Sequence, residues 1–292
     1  MIDEDSELEA SRAPLLEHLT ELRTRLIWSV ASFAAAFVFC FAFANQIYMF
    51  LLHPFEIAGA LMEAQKQGGG HAGPFDLLLA LTGFKDITAQ GKPLELVYTA
   101  PLEFFFTKMK LAGFGAIVIS FPILAWQLYR FVAPGLYRKE KNAFLPFLLA
   151  APVLFVMGGA LVYYLMLPFV LWFSLSQQIV GAGVQVTLLP KVSDYMTLVT
   201  QLLLAFGLCF QLPVVLSLAG LAGLISSQTL AKGRRYAVVA IVFVAAIVTP
   251  PDPISQIMLS IPLYLLYEVS IWCVRLMELR RKKADEAEAL LA

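Results

Sequence analysis

Charge is scarce in this sequence. Lys, Arg, Asp and Glu make up 14% of its 292 residues, against roughly 25% in soluble domains. That shortfall excludes a disordered chain and a solvated coiled coil, both of which need charge to stay in water. Cysteine is scarce as well. Cys40, Cys209 and Cys273 stand singly in apolar runs, too few for a disulfide scaffold and without metal-ligand spacing. His18, His53 and His71 fall far apart in the topology expected from the apolar runs and are not expected to share a metal. No His-Glu-x-x-His, Gly-x-Ser-x-Gly or P-loop occurs, so an enzyme reading has no motif to start from and no cofactor is implied. A net charge of zero gives no basic field for nucleic acid.

What fills the deficit is hydrocarbon. Hydrophobic residues reach 60%, with 23 Phe, and the mean hydropathy is +0.77. A soluble globule of this size cannot bury that much, so the chain reads as an all-α integral membrane protein. Spans of about 20 apolar residues fall at Leu26 to Ala44, Leu111 to Tyr129, about Pro146 to Leu175, and Met196 to Leu224. A closing pair, Tyr236 to Val248 and Ile254 to Val274, flanks Thr249-Pro250-Pro251-Asp252-Pro253. The first of that pair is too short for a full crossing, so either the bilayer thins there or the pair forms a shallow hairpin; both return the chain to the side it left. Six helices are expected, the last two short.

Lys and Arg divide unevenly between the two sides. One side collects Arg12, Arg23, Arg25, Arg130, Arg138, Lys139, Lys141, Lys232, Arg234, Arg235, Arg275, Arg280, Arg281, Lys282 and Lys283. The other has only Lys66, Lys85, Lys92, Lys108, Lys110 and Lys191. The positive-inside rule then places both termini in the cytoplasm. Met1 to Glu9 is acidic and lacks a signal-peptide n-region, so the first apolar run is expected to act as an anchor. The division is a cytoplasmic extension over 1–13, a membrane domain over 14–275 with an outer loop at about 45–104, and a charged tail over 276–292. Neither an internal repeat nor paired broken helices in two halves are evident.

Three polar segments stand out. Pro14 to Arg25 carries leucines at 15, 19 and 22, continued by Leu26, with Glu17 and Glu21 one turn apart and Glu21 and Arg25 as an i, i+4 pair. On pattern alone this is a solvated helix face at the membrane surface. The loop from Tyr129 to Lys141 is basic, which topology alone would require, yet Glu140 is the one acid among its bases. Inside the spans, Gln127 and Glu268 lie toward helix ends and suit interfacial anchoring. Asp194 precedes its helix and suits a cap. Gln211 lies mid-span before Pro213, whose missing N–H frees a carbonyl one turn earlier. Its amide serves either an internal helix–helix hydrogen bond or a partner helix.

Taken together, these segments resemble a known family. His18-Leu19-x-Glu21-Leu22-Arg23, Phe105-Phe106-Thr107, Phe121-Pro122 and Phe131-x-Ala133-Pro134-x-Leu136-Tyr137-x-x-Glu140 follow in order. Phe206-Gly207, Phe210-Gln211-x-Pro213 and Thr249-Pro250-Pro251-Asp252 complete the set, over about Pro14 to Arg275. The chain resembles the TatC family, the multi-spanning core subunit of the twin-arginine protein translocase. The resemblance implies a curved six-helix bundle in the bacterial cytoplasmic membrane that binds twin-arginine signal peptides of folded cargo. It implies TatA-type and TatB-type single-span partners, self-association in a larger complex, and export driven by the proton-motive force. The signal-peptide site carries over to Glu21 and Glu140, with Phe131 and Arg23 beside them. Docking of a partner helix is expected at Phe210, Gln211 and Pro213. The alternatives are a small-solute secondary transporter, which would need a charged path through a midplane that is nearly free of charge, and a purely structural scaffold, for which Glu21 and Glu140 would be replaceable.

Overall fold

A computed structural model describes residues 3–66, 74–82, 96–132, 141–177, 179–181, 184–186, 191–248 and 253–291. Helix dominates. Helix α1 covers Asp3–Ala42 and bends at Phe43 into α2, Ala44–Lys66; α3 is a short helix, Pro74–Leu81. Helix α4 covers Glu103–Val132. Helix α5, Lys141–Leu161, passes through a π-helical turn at Val162–Met166 into α6, Leu167–Ser176. A three-residue ribbon pairs β1, Ile179–Gly181, antiparallel with β2, Val184–Val186. Helix α7, Val192–Cys209, continues after a break into α8, Leu212–Leu221. Helices α9, Ser227–Val248, and α10, Pro253–Leu291, close the chain.

Five helical stretches are long and apolar enough to cross a bilayer: Leu19–Ala42, Glu103–Leu128, Pro146–Ser174, Val192–Leu221 and Gln256–Arg280. Their outward faces are apolar; Trp28 and Val38 on α1 are 63% and 70% exposed. Such a surface is stable only when lipid is the solvent. Helix α9 is not among the five. It has 22 residues, but Lys232, Arg234 and Arg235 occupy its first half and leave a short apolar end. The expected shortness fails for α10, which runs 39 residues. Pro253 fits its first turn, where no N–H is needed, and the Ala, Glu, Lys and Arg of the tail are strong helix formers that prolong it. The supposed outer loop likewise begins with helix, since 44–66 is α2.

In α2 a side chain replaces a hydrogen bond that the backbone loses. Pro54 inside α2 has no N–H to give to Phe50, one turn earlier. The Tyr163 hydroxyl donates to the Phe50 carbonyl at 2.8 Å, and Tyr195 donates to the next carbonyl, Leu51, at 2.9 Å. Those two bonds tie α2 to the π-turn and to α7 beside the core residues Leu51, Phe55, Met166 and Val199. Helices α5 and α7 meet through glycine. A Cβ on Gly158 would stand 2.8 Å from the Phe206 carbonyl, and one on Gly207 would stand 2.7 Å from the Phe155 ring. At the end of α8, Gly223 takes φ +70, and Leu224 N–H closes back onto the Ala219 carbonyl at 2.9 Å. This left-handed glycine terminates the helix.

Candidate functional site

One end of the bundle gathers the polar groups of α1 and α4, which pack along one another. Glu21 is two-thirds buried at the start of the first span, and Arg25 one turn on donates to it through Nη2 at 2.7 Å. The Arg25 Nη1 reaches the Gln127 carboxamide oxygen on α4 at 3.4 Å, while its Nε is buried without a partner. Gln127 is therefore a cross-link between two helices rather than an interfacial anchor. Arg23 is exposed on the same helix. Phe131 lies in the last turn of α4, one turn beyond Gln127, so the backbone carries it to the end of the bundle that holds Glu21. Glu140 lies outside the described residues. The structure thus joins Glu21, Arg25 and Gln127.

A second polar cluster at helices α9 and α10 was not anticipated. Arg234 grips Glu268 with two parallel hydrogen bonds, Nε to Oε1 at 2.7 Å and Nη2 to Oε2 at 2.9 Å, the strong fork geometry. Tyr264 donates to the same carboxylate at 2.9 Å. The bond to Glu268 pushes the already high Arg234 pKa further up, so the guanidinium stays charged at any physiological pH. Glu268 is held by this pair instead of reaching alone for the interface. Basic residues before the fifth apolar run and one acid in the sixth are the available signal, but 34 positions separate the partners.

At the opposite end, Glu103 binds three groups of the segment before α4 and Ser193 of α7. Its Oε2 accepts Thr99 N–H at 2.7 Å and Ala100 N–H at 3.2 Å; its Oε1 accepts the Ser193 hydroxyl at 2.6 Å. The acid caps its own helix and ties it to a second one. Asp194 does not cap α7. The N-cap position belongs to Lys191, and Asp194 lies inside the first turn, where its charge favours the helix dipole.

At the mid-bundle break, Gln211 N–H turns to Leu208 at 2.9 Å, which strips the Gly207 carbonyl of its usual donor. The Gln211 side chain restores it at 3.4 Å and donates to Ala151 of α5 at 2.9 Å. Phe210 and Pro213 are buried at the same break.

A family model described as the Sec-independent protein translocase protein TatC matches residues 17–262. The chain belongs to the TatC family. A Sec-independent protein translocase protein TatC of Magnetococcus marinus is 39% identical over 95% of this chain and 89% of its own length. The protein of that name from Rickettsia prowazekii is 37% identical over 87% and 90%. A crystal structure described as the twin arginine translocase receptor TatC superposes with a TM-score of 0.66 at 31% identity, covering 89% of this chain and 98% of the other. The same receptor crystallised in DDM gives 0.68 at 31% identity. This TatC-family chain is a component of the twin-arginine translocase and a multi-pass protein of the bacterial inner membrane.

Proposed function

We propose that this TatC-family chain is the receptor core of the translocase, and that Glu21 and Glu140 take the two arginines of a signal peptide. The observation that supports this most is the state of Glu21. It already engages a guanidinium at 2.7 Å, in a half-buried setting at one end of the bundle. Among the described residues its second oxygen has no bonded partner. A planar arginine fork can share or replace that contact; lysine offers only a point charge. Phe131 covers the apolar flank of the peptide, and Arg23 repels a misplaced cation. Partner helices of the TatA and TatB type dock at the partly exposed Gln211, with the buried Phe210 and Pro213 shaping the break beneath it rather than touching the partner, and the proton-motive force drives transport without catalysis by this chain. Both termini are cytoplasmic, with six helices in the bundle, and copies of the chain associate in the full complex.

A titration of labelled twin-arginine peptide against the purified protein tests the site. Glu21→Ala and Glu140→Ala are each expected to weaken binding by about 30-fold or more, because removing one partner of a desolvated pair costs about 2–5 kcal/mol. Affinities within a few-fold of wild type for both variants, with normal membrane insertion, overturn the assignment.

A further inference from the structure

Helices α9 and α10 line a cleft of about 360 Å³, part apolar through Ile271 and Leu279 and part charged, at the end where α10 leaves its apolar stretch. Ser227, Ala231 and Arg234 form one wall, spaced i, i+4, i+7. Arg275, Glu278 and Lys282 form the other, spaced i, i+3, i+7, so each set lies on one helix face. The sole acid of this lining is already engaged, within the cleft wall itself. Glu278 accepts the Ser227 N–H at 2.8 Å through Oε1 and the Ser227 hydroxyl through Oε2. Its charge is thereby committed to the positive end of the α9 dipole. Arg234 is held by Glu268 through Nε and Nη2, which leaves its Nη1. Arg275 and Lys282 have no ion-pair partner among the described residues. The cleft is consequently an anion site by charge.

Its depth narrows the choice of anion. The apolar span of α10 ends at Arg280, and Trp272 and Leu276, within the span beside the cleft, are 64% and 56% exposed. In a bilayer those apolar side chains meet acyl tails while Arg275 and Lys282 stand at the depth of the phosphates. An anion carrying its own hydrocarbon can use both surfaces; a free anion can use only one. We propose that this cleft binds the phosphate of an anionic phospholipid, with Arg275 and Lys282 as its ligands and the tails along Trp272 and Leu276. The site is independent of the signal-peptide reading, since it shares none of its residues.

Native mass spectrometry of the detergent-solubilised full chain, incubated with phosphatidylglycerol or phosphatidylcholine, provides the test. Wild type is expected to retain phosphatidylglycerol over phosphatidylcholine. Arg275→Gln with Lys282→Gln is expected to retain about tenfold less of the anionic lipid. Lys282→Gln alone, at an exposed position that cannot unfold the bundle, is expected to show a smaller loss in the same direction. Lys232→Gln with Arg280→Gln removes the same charge outside the cleft and is expected to leave retention unchanged. Millimolar inorganic phosphate is expected not to displace the lipid. Equal retention by the cleft variants, an equal loss in the control variant, or displacement by inorganic phosphate each overturns the proposal, the last by making the site one for a soluble anion.

Discussion

If Glu21 receives a signal-peptide arginine as proposed, Arg25 occupies the place that arginine must take. Its Nη2 contact with Glu21 and its Nη1 contact with Gln127 leave a buried Nε unsatisfied, so the guanidinium is not at a full hydrogen-bonding optimum. A partly exposed pair of this kind is worth at most about 1 kcal/mol. Arg25→Gln is therefore expected to tighten signal-peptide binding, by up to about fivefold, because the peptide no longer competes with an internal cation. The sign decides the matter: a weaker complex in the same titration would mean that Arg25 holds Glu21 in place for the peptide. The Glu21–Arg25 pair was legible in the sequence, because an i, i+4 spacing puts both residues on one face. Gln127 was not, since it is 102 positions away and no local rule connects it to Arg25. The same distance argument applies to Arg234 with Glu268 and to Ser227 with Glu278. Composition shows that such groups need partners and leaves the choice among them open.

Apolar length was a reliable guide to the membrane helices, and less so to where they start and stop. The first four sequence-read spans each overlap a long apolar helix, because lipid forces every backbone group into internal hydrogen bonds. Helix α2 was missed, since Asn45, Gln46, His53 and Pro54 interrupt its hydropathy; Tyr163 and Tyr195 repair the proline defect from elsewhere in the fold. Pro213 signals a freed carbonyl inside the fourth span, but the span reads as one helix in the sequence; its break into α7 and α8 and the use of the Gln211 amide on Gly207 and Ala151 required the structure. Those bonds engage Nε2 and leave the carboxamide oxygen of Gln211 for a partner helix. Gln211→Leu is expected to lower crosslinking of TatA-type and TatB-type helices to this face, since such bonds are typically worth about 0.6–2 kcal/mol. Signal-peptide binding is expected to persist. Unchanged crosslinking would assign Gln211 to the internal bond with Ala151 alone.

The bundle as a whole has two ends, and its side-chain bonds sort consistently between them. Arg25 with Gln127 joins the start of the first span to the end of the second. Glu103 with Ser193 joins the starts of the second and fourth spans, at the opposite level. Helices α9 and α10 are antiparallel: Ser227 meets Glu278, Arg234 meets Glu268, and Val242 meets Gln256. Whatever depth α9 reaches, the chain therefore leaves this hairpin at the level where it entered. With four crossings before the hairpin, the proposed topology has both termini on one side, and the excess of Lys and Arg is the reason to propose the cytoplasm for it. Single cysteines test this in a background without Cys40, Cys209 and Cys273. Gly69→Cys and Gly183→Cys are expected to react with a membrane-impermeant thiol reagent added to intact cells. Thr20→Cys, Lys139→Cys and Lys232→Cys are expected to react only after the membrane is opened; Lys232 is preferred to Gly233, where a new Cβ would press on the Tyr267 hydroxyl at 3.3 Å. Labelling of Lys139→Cys or Lys232→Cys from outside would break the proposed arrangement, because the count of Lys and Arg puts both on the cytoplasmic side.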